Sequence, residues 1–294
     1  MGTLSPTSVT AAANPETLDT LPVRNLRALI LASGGEHFDI LEKTALVERA
    51  KKLLVKPPPP PPEEPMLHSM HALQCQEMIA KEDQMAEAQR SSVVRLCNFL
   101  SDAEIQSVHE LAARLGDAGR SVESAAYRTG AWDTSYLQAG GAFASQLPAL
   151  AAKLVDAARD VDEAQGWRLL ADKPRVTMRV VEYHTVKTHG SLPWAHHFDE
   201  GSLLTIDCML SDPTTDFAGG VFETLEPDGE LKPHTFEHGD VQIFRSHKYH
   251  CVSPVTSGAR NVLVIELWDG EARRCAHRCE QRTGRCAFER CKAM

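Results

Sequence analysis

The sequence predicts an α+β protein: a jelly roll of short antiparallel strands backed by helices and preceded by a small helical module. Three observations predict it. Apolar residues recur at helical spacing until about residue 161. After Pro174 the pattern changes to short β-branched runs bounded by Gly, Pro and Asp. Between the first helical stretch and the remainder, Pro57 to Pro62 run without interruption. Helices followed by many short strands is the order expected of packed sheets with a helical cover. A chain of 294 residues, 43% of them apolar, can hold one substantial domain and accessory sequence.

Residues 1–20 are rich in Ala, Thr, Ser and Pro without an apolar period, and are expected to be disordered. From residue 21 a helix carries Leu26, Leu29 and Ile30 on one face and stops at Gly34-Gly35. A second, from about Glu42 to Val55, carries Leu46, Val47, Leu53 and Leu54. This 21–56 unit resembles small SAP-like modules, which implies a partner that is either nucleic acid or protein. Arg24, Arg27, Lys43, Arg49, Lys51, Lys52 and Lys56 offer a basic face, or simply a solvated one. The prolines at 57–65 favour a stiff polyproline II spacer, and 66–90 reads as a connecting helix.

The main domain, 91–270, opens with the apolar run Val93 to Leu100. Ser101 followed by Glu104 is a capping box that starts a helix reaching about Leu115. Another helix spans roughly Leu147 to Val161, with Leu150, Leu154, Val155 and Ala158 at helical spacing. Strands follow at Val176–Tyr183, Leu203–Leu210, Gly220–Leu225, Val241–Phe244 and Asn261–Trp268.

The net charge of −9 argues against a dominant non-specific nucleic-acid surface. The opening Met1-Gly2-Thr3-Leu4-Ser5-Pro6 has no cationic segment ahead of an apolar run, and Pro6 breaks a myristoylation motif. No stretch approaches the roughly 18 apolar residues of a membrane span. The expectation is a soluble intracellular protein, cytoplasmic or nuclear, with no membrane partner.

His197-Phe198-Asp199 places two metal donors on one side of an extended segment, because residues i and i+2 point the same way. Non-haem iron oxygenases use two imidazoles and one carboxylate on one face of iron(II), leaving positions for an oxo-acid and O2. With thirteen histidines in the chain, the later partner decides. His250 lies just beyond the Val241–Phe244 strand and has Arg260 at a strand spacing, suited to pairing a carboxylate through two parallel hydrogen bonds. Its competitors fare worse: His247 has Ser257 at that distance, and His238, which does have Lys248 there, precedes the Gly239-Asp240 turn that launches the strand. His196 would pair with Phe198, which is no ligand.

His197-Phe198-Asp199, Asp216-Phe217-Ala218-Gly219-Gly220, His238-Gly239-Asp240 and the run from His250 to Arg260 together resemble the core of the prolyl 4-hydroxylase and lysyl hydroxylase superfamily. Asn98-Phe99-Leu100-Ser101 is similar to the start of many prolyl hydroxylase domains. The resemblance implies a double-stranded β-helix and an Fe(II)- and 2-oxoglutarate-dependent dioxygenase. In such an enzyme O2 is consumed, 2-oxoglutarate becomes succinate and CO2, ascorbate serves as an auxiliary reductant, and a protein or peptide side chain is hydroxylated. It implies His197, Asp199 and His250 as metal ligands, Arg260 at the far carboxylate of 2-oxoglutarate, and Tyr183 and Thr205 as further positioning residues. Procollagen-type enzymes use Lys where this chain has Arg260, and lysyl hydroxylases use Arg. That departure bears on the substrate and not on the co-substrate; the resemblance as a whole implies prolyl ahead of lysyl, with a small-molecule or nucleic-acid dioxygenase and a non-catalytic adaptor as the alternatives.

The tail, 271–294, carries Cys275, Cys279, Cys286 and Cys291 with His277 among them. It is compact enough for zinc or for two disulfides, although it lacks the paired C-x-x-C of common zinc sites. It faintly resembles the disulfide module that ends algal and plant prolyl hydroxylases. Disulfides, zinc and an unstructured tail all remain open.

Overall fold

A computed structural model describes residues 15–32, 42–55, 83–116, 128–173 and 175–279, together with 281 and 286. Chain contacts divide the protein into two units, 1–73 and 74–294. The polyproline spacer lies outside the described residues. Of the expected connecting helix, residues 83–90 are described and helical.

In the first unit a 3-10 helix, Pro15–Thr20, precedes helices Val23–Ala32 and Lys43–Val55. Leu18, Leu26, Leu29, Ile30, Leu46 and Val47 form one apolar cluster. The segment expected to be disordered therefore ends in ordered structure. Leu18 is fully buried and completes this small core, which a lone leucine in polar surroundings does not announce as a period. Residues 1–14 lie outside the described residues. Part of the basic face is engaged within the unit: Lys43 Nζ donates to the Asp19 carbonyl at 2.9 Å, and Lys51 lies 3.5 Å from the Asp19 carboxylate.

The second unit is built on two antiparallel sheets. In chain order the strands are β1 (Val94–Leu96), β2 (Trp132–Tyr136), β3 (Val176–Lys187), β4 (Leu192–His197), β5 (Leu204–Met209) and β6 (Phe217–Gly219). They continue with β7 (Phe222–Leu225), β8 (Leu231–Pro233), β9 (Val241–Arg245), β10 (His250–Val252) and β11 (Val255–Asp269). The larger sheet runs β1-β9-β5-β11-β3-β2, with β6 on the first part of β11; the smaller runs β4-β10-β7-β8. This is the jelly roll with helical cover that the patterning predicts.

The central strands of the larger sheet are buried on both faces, so their side chains divide by parity. Leu204, Ile206 and Cys208 of β5, with Leu263, Ile265 and Leu267 of β11, pack against the helices Asp102–Leu115 and Pro148–Ala164. The capping box forms as read: the Glu104 amide donates to Ser101 Oγ at 3.3 Å, and the Ser101 amide donates to Glu104 Oε2 at 2.8 Å. Met209, Val262, Val186 and Phe244 face the other way, towards Leu192, Phe222 and Val252 of the smaller sheet. The polar residues on that inner face build the site. No helix among the described residues is long and apolar enough to cross a membrane.

Candidate metal centre

His197 ends β4 and His250 begins β10, and the two are direct cross-strand partners. Their rings therefore project to the same side, with centroids 4.9 Å apart. Asp199 follows two residues on, its amide fixed to the Ser246 carbonyl at 2.8 Å. One donor atom from each of the three lies within 4.8 Å of the others, and all three residues are buried. Two imidazoles and a carboxylate on one side of a common point suit a divalent iron with open positions.

The surroundings orient each donor. The Lys248 carbonyl lies 2.9 Å from His250 Nδ1, so that nitrogen must carry the proton and Nε2 keeps its lone pair for a metal. Burial pushes the His250 imidazole down to about 4, favouring the neutral form that ligation needs. Thr205 Oγ1 donates to Asp199 Oδ2 at 2.7 Å and is 2.9 Å from Ser246 Oγ. Burial alone would raise the Asp199 carboxyl, but the Arg278 guanidinium, 2.9 Å from Oδ1, and the two histidines hold it well below the usual carboxylate range.

The turn that carries His250 is anchored from far along the chain. Gln89, in the helical segment 83–90, donates from Nε2 to the His247 carbonyl at 2.7 Å and accepts from the Tyr249 amide at 2.8 Å. Its own carbonyl accepts from Lys248 Nζ at 2.8 Å.

Arg260 lines the same cavity as the triad. It is 2% exposed, and its Nε has no hydrogen-bond partner among the described residues. A buried cationic group with an unmet donor fits a carboxylate ligand. Burial lowers the guanidinium to about 10 despite the nearby Asp207. Gly220, at φ +62°, leaves room for this side chain, since a Cβ there would stand 3.0 Å from Arg260 Cδ. Gly219, at φ +74°, presses against the Pro254 carbonyl, which a Cβ would meet at 2.3 Å.

The other two predicted positioning residues sit differently. Strand parity turns Tyr183 away from the cavity and into the helix-facing layer, where its hydroxyl meets His109 Nδ1 at 2.8 Å. Its neighbours Glu182 and His184 take the inward places. Thr205 touches the ligand Asp199 and is not among the residues lining the cavity.

A buried ionic network at the cavity base escaped the sequence reading. Glu182 accepts from Arg128 at 3.0 Å and from His184 Nε2 at 2.8 Å. Glu266 accepts from Ser202 Oγ at 2.6 Å, with Arg179 3.6 Å away. Arg278 joins Glu182, Glu266 and Asp199. Asp207, buried near Asp199, is pushed up to about 8 by burial and by that charge. A usable signal existed for Glu182, Asp207 and Glu266: each is a carboxylate inside an apolar strand, a placement that demands a partner. Arg278, in an irregular tail, had none.

No family model matches the chain, and no curated protein matches it. Solved structures do. An oxidoreductase of the 2OG-Fe(II) oxygenase family from Burkholderia pseudomallei aligns at 18% identity and a TM-score of 0.47, over 66% of this chain and 93% of that one. A Pseudomonas putida prolyl-4-hydroxylase aligns at 13% and 0.46, over 63% and 100%. A Trichoplax adhaerens prolyl hydroxylase, in complex with a hypoxia inducible factor oxygen degradation domain peptide fragment, aligns at 14% and 0.46, over 67% and 93%. At such values the functional reading rests on the geometry above.

Proposed function

We propose that the chain is an Fe(II)- and 2-oxoglutarate-dependent dioxygenase that hydroxylates a protein or peptide side chain, prolyl ahead of lysyl. The observation that carries the reading is the convergence of His197, Asp199 and His250 in a cavity that also holds the buried Arg260 with its unmet donor. His197, Asp199 and His250 would hold the iron, and Arg260 would hold the distal carboxylate of 2-oxoglutarate. Bound iron would supply O2 activation coupled to oxidative decarboxylation of 2-oxoglutarate.

The protein's own contribution is orientation and exclusion of water. The Lys248 carbonyl fixes the His250 tautomer, and Thr205 holds one oxygen of Asp199. Leu192, Phe222, Val252 and Val262 give the cavity an apolar wall. The prolyl ranking follows from the motifs His197-Phe198-Asp199, His238-Gly239-Asp240 and His250 to Arg260, which resemble those of the prolyl 4-hydroxylase superfamily.

The test begins without substrate. Anaerobic addition of iron(II) and then 2-oxoglutarate to folded apoprotein should produce a metal-to-ligand charge-transfer band that His197→Ala abolishes. Succinate release should then depend on a proline-containing peptide. A folded wild-type protein without an iron-dependent band would sink the reading. A band with turnover on a lysyl peptide or a small molecule alone would remove the prolyl assignment.

A further inference from the structure

We propose that Cys275, His277, Cys279 and Cys286 form a structural zinc site, and that this knuckle holds Arg278 among the carboxylates at the base of the triad. One donor atom from each of the four lies within 4.8 Å of the others. A tetrahedral zinc with bonds of about 2.3 Å to sulfur sets its sulfurs about 3.8 Å apart, within that span. His277 Nε2 is 3.0 Å from Cys286 Sγ. Cys275, His277 and Cys279 are buried. Three thiolates and an imidazole are a soft, closed set with no position left for substrate, which is the pattern of structural zinc. Cys291, counted with the tail's cysteines in the sequence, lies outside the described residues.

The chain direction at the knuckle ties this site to the cavity. Cys275, His277 and Cys279 turn to the donor cluster, while the residues between them turn to the body of the protein. Ala276 packs with Tyr136, Ala139 and Val180. Arg278 enters the cavity and meets Asp199 at 2.9 Å, together with Glu182 and Glu266. The backbone on either side is pinned to the larger sheet and its flank. Gln138 Nε2 donates to the Cys275 carbonyl, and Arg179 Nε to the Cys279 carbonyl, both at 3.0 Å. An arginine in an irregular segment loses much side-chain freedom when three carboxylates hold it in this way. A metal that fixes the residues on both sides of it supplies the rigidity that a helix or strand would otherwise provide.

The experiment reads zinc directly, so it stands or falls apart from the dioxygenase assignment. Full-length protein purified under reducing conditions should carry one zinc per chain by elemental analysis. His197→Ala should retain it, and Cys279→Ser with Cys286→Ser should lose it. Cobalt substitution should give the visible bands of tetrahedral cobalt–thiolate in wild type and in His197→Ala. Should the cysteine variants fail to fold, stoichiometric zinc release from wild type by a thiol-specific reagent, followed with a chromogenic chelator, provides the same answer. Trypsin should leave the bond after Arg278 intact in zinc-loaded protein and cut it at least tenfold faster once zinc is stripped, with sites mapped by mass. Folded, reduced wild type that holds no zinc and gives no thiolate bands with cobalt overturns the site. Equal cleavage after Arg278 with and without zinc overturns the clamp.

Discussion

His184 shows how tightly single side chains are specified at this site. Trp132 Nε1 can only donate, and it lies 3.1 Å from His184 Nδ1, so that nitrogen must be the acceptor. Nε2 then carries the proton towards Glu182 at 2.8 Å. The ring is neutral in the folded protein, and burial, reinforced by Arg128, pushes it down to about 4. An unfolded histidine titrates near 6.5, so the unfolded state takes up a proton that the folded state refuses until lower pH. The contribution is full above about pH 6.5 and is lost as pH falls towards 4, to a limit of about 3 kcal/mol. Urea titrations of metal-free protein across that window should show the loss, in which the buried His250 shares, and His184→Gln should make it shallower. An unchanged slope in the variant would refute the assignment. At this scale the sequence was legible where chemistry fixes a spacing, as with His197, Asp199, His250 and Arg260. It was opaque where a role depends on which way a side chain turns. Tyr183 was read as a cavity residue, yet it faces His109 while Glu182 and His184 on either side face inwards.

Among the elements, the helix Asp102–Leu115 was the most legible because its start is encoded locally. The Ser101–Glu104 exchange needs only residues three apart, and Lys153 from the neighbouring helix reinforces it, with Nζ 2.9 Å from Glu104 Oε2. Ser101→Ala should lower stability by about 1 kcal/mol, read as a small fall in denaturation midpoint with unchanged slope. No measurable fall would mean that the helix is held by its packing on the sheet alone. Strands were legible as apolar runs, but their boundaries were not. β3 continues to Lys187 and β11 begins at Val255, because pairing across the sheet extends both beyond their apolar centres. The 3-10 helix Pro15–Thr20 was invisible for the opposite reason, since it owes its place to one buried leucine.

For the molecule as a whole, the division into units 1–73 and 74–294 puts every residue assigned to iron, 2-oxoglutarate and zinc in the second. A fragment of residues 74–294 should bind iron(II) and 2-oxoglutarate with affinities within about twofold of the full chain. A larger loss, measured by anaerobic calorimetry on a fragment shown to be folded, would assign the first unit a part in the site itself. That fragment must keep residues 83–90, because Gln89 holds the turn between β9 and β10 by three hydrogen bonds. Those bonds are also a mechanical coupling. The carbonyl that sets the His250 tautomer belongs to Lys248, so a disturbance of residues 87–89 bears on the metal centre through Gln89 and on strand β9 through the Glu87–Arg245 pair at 3.2 Å.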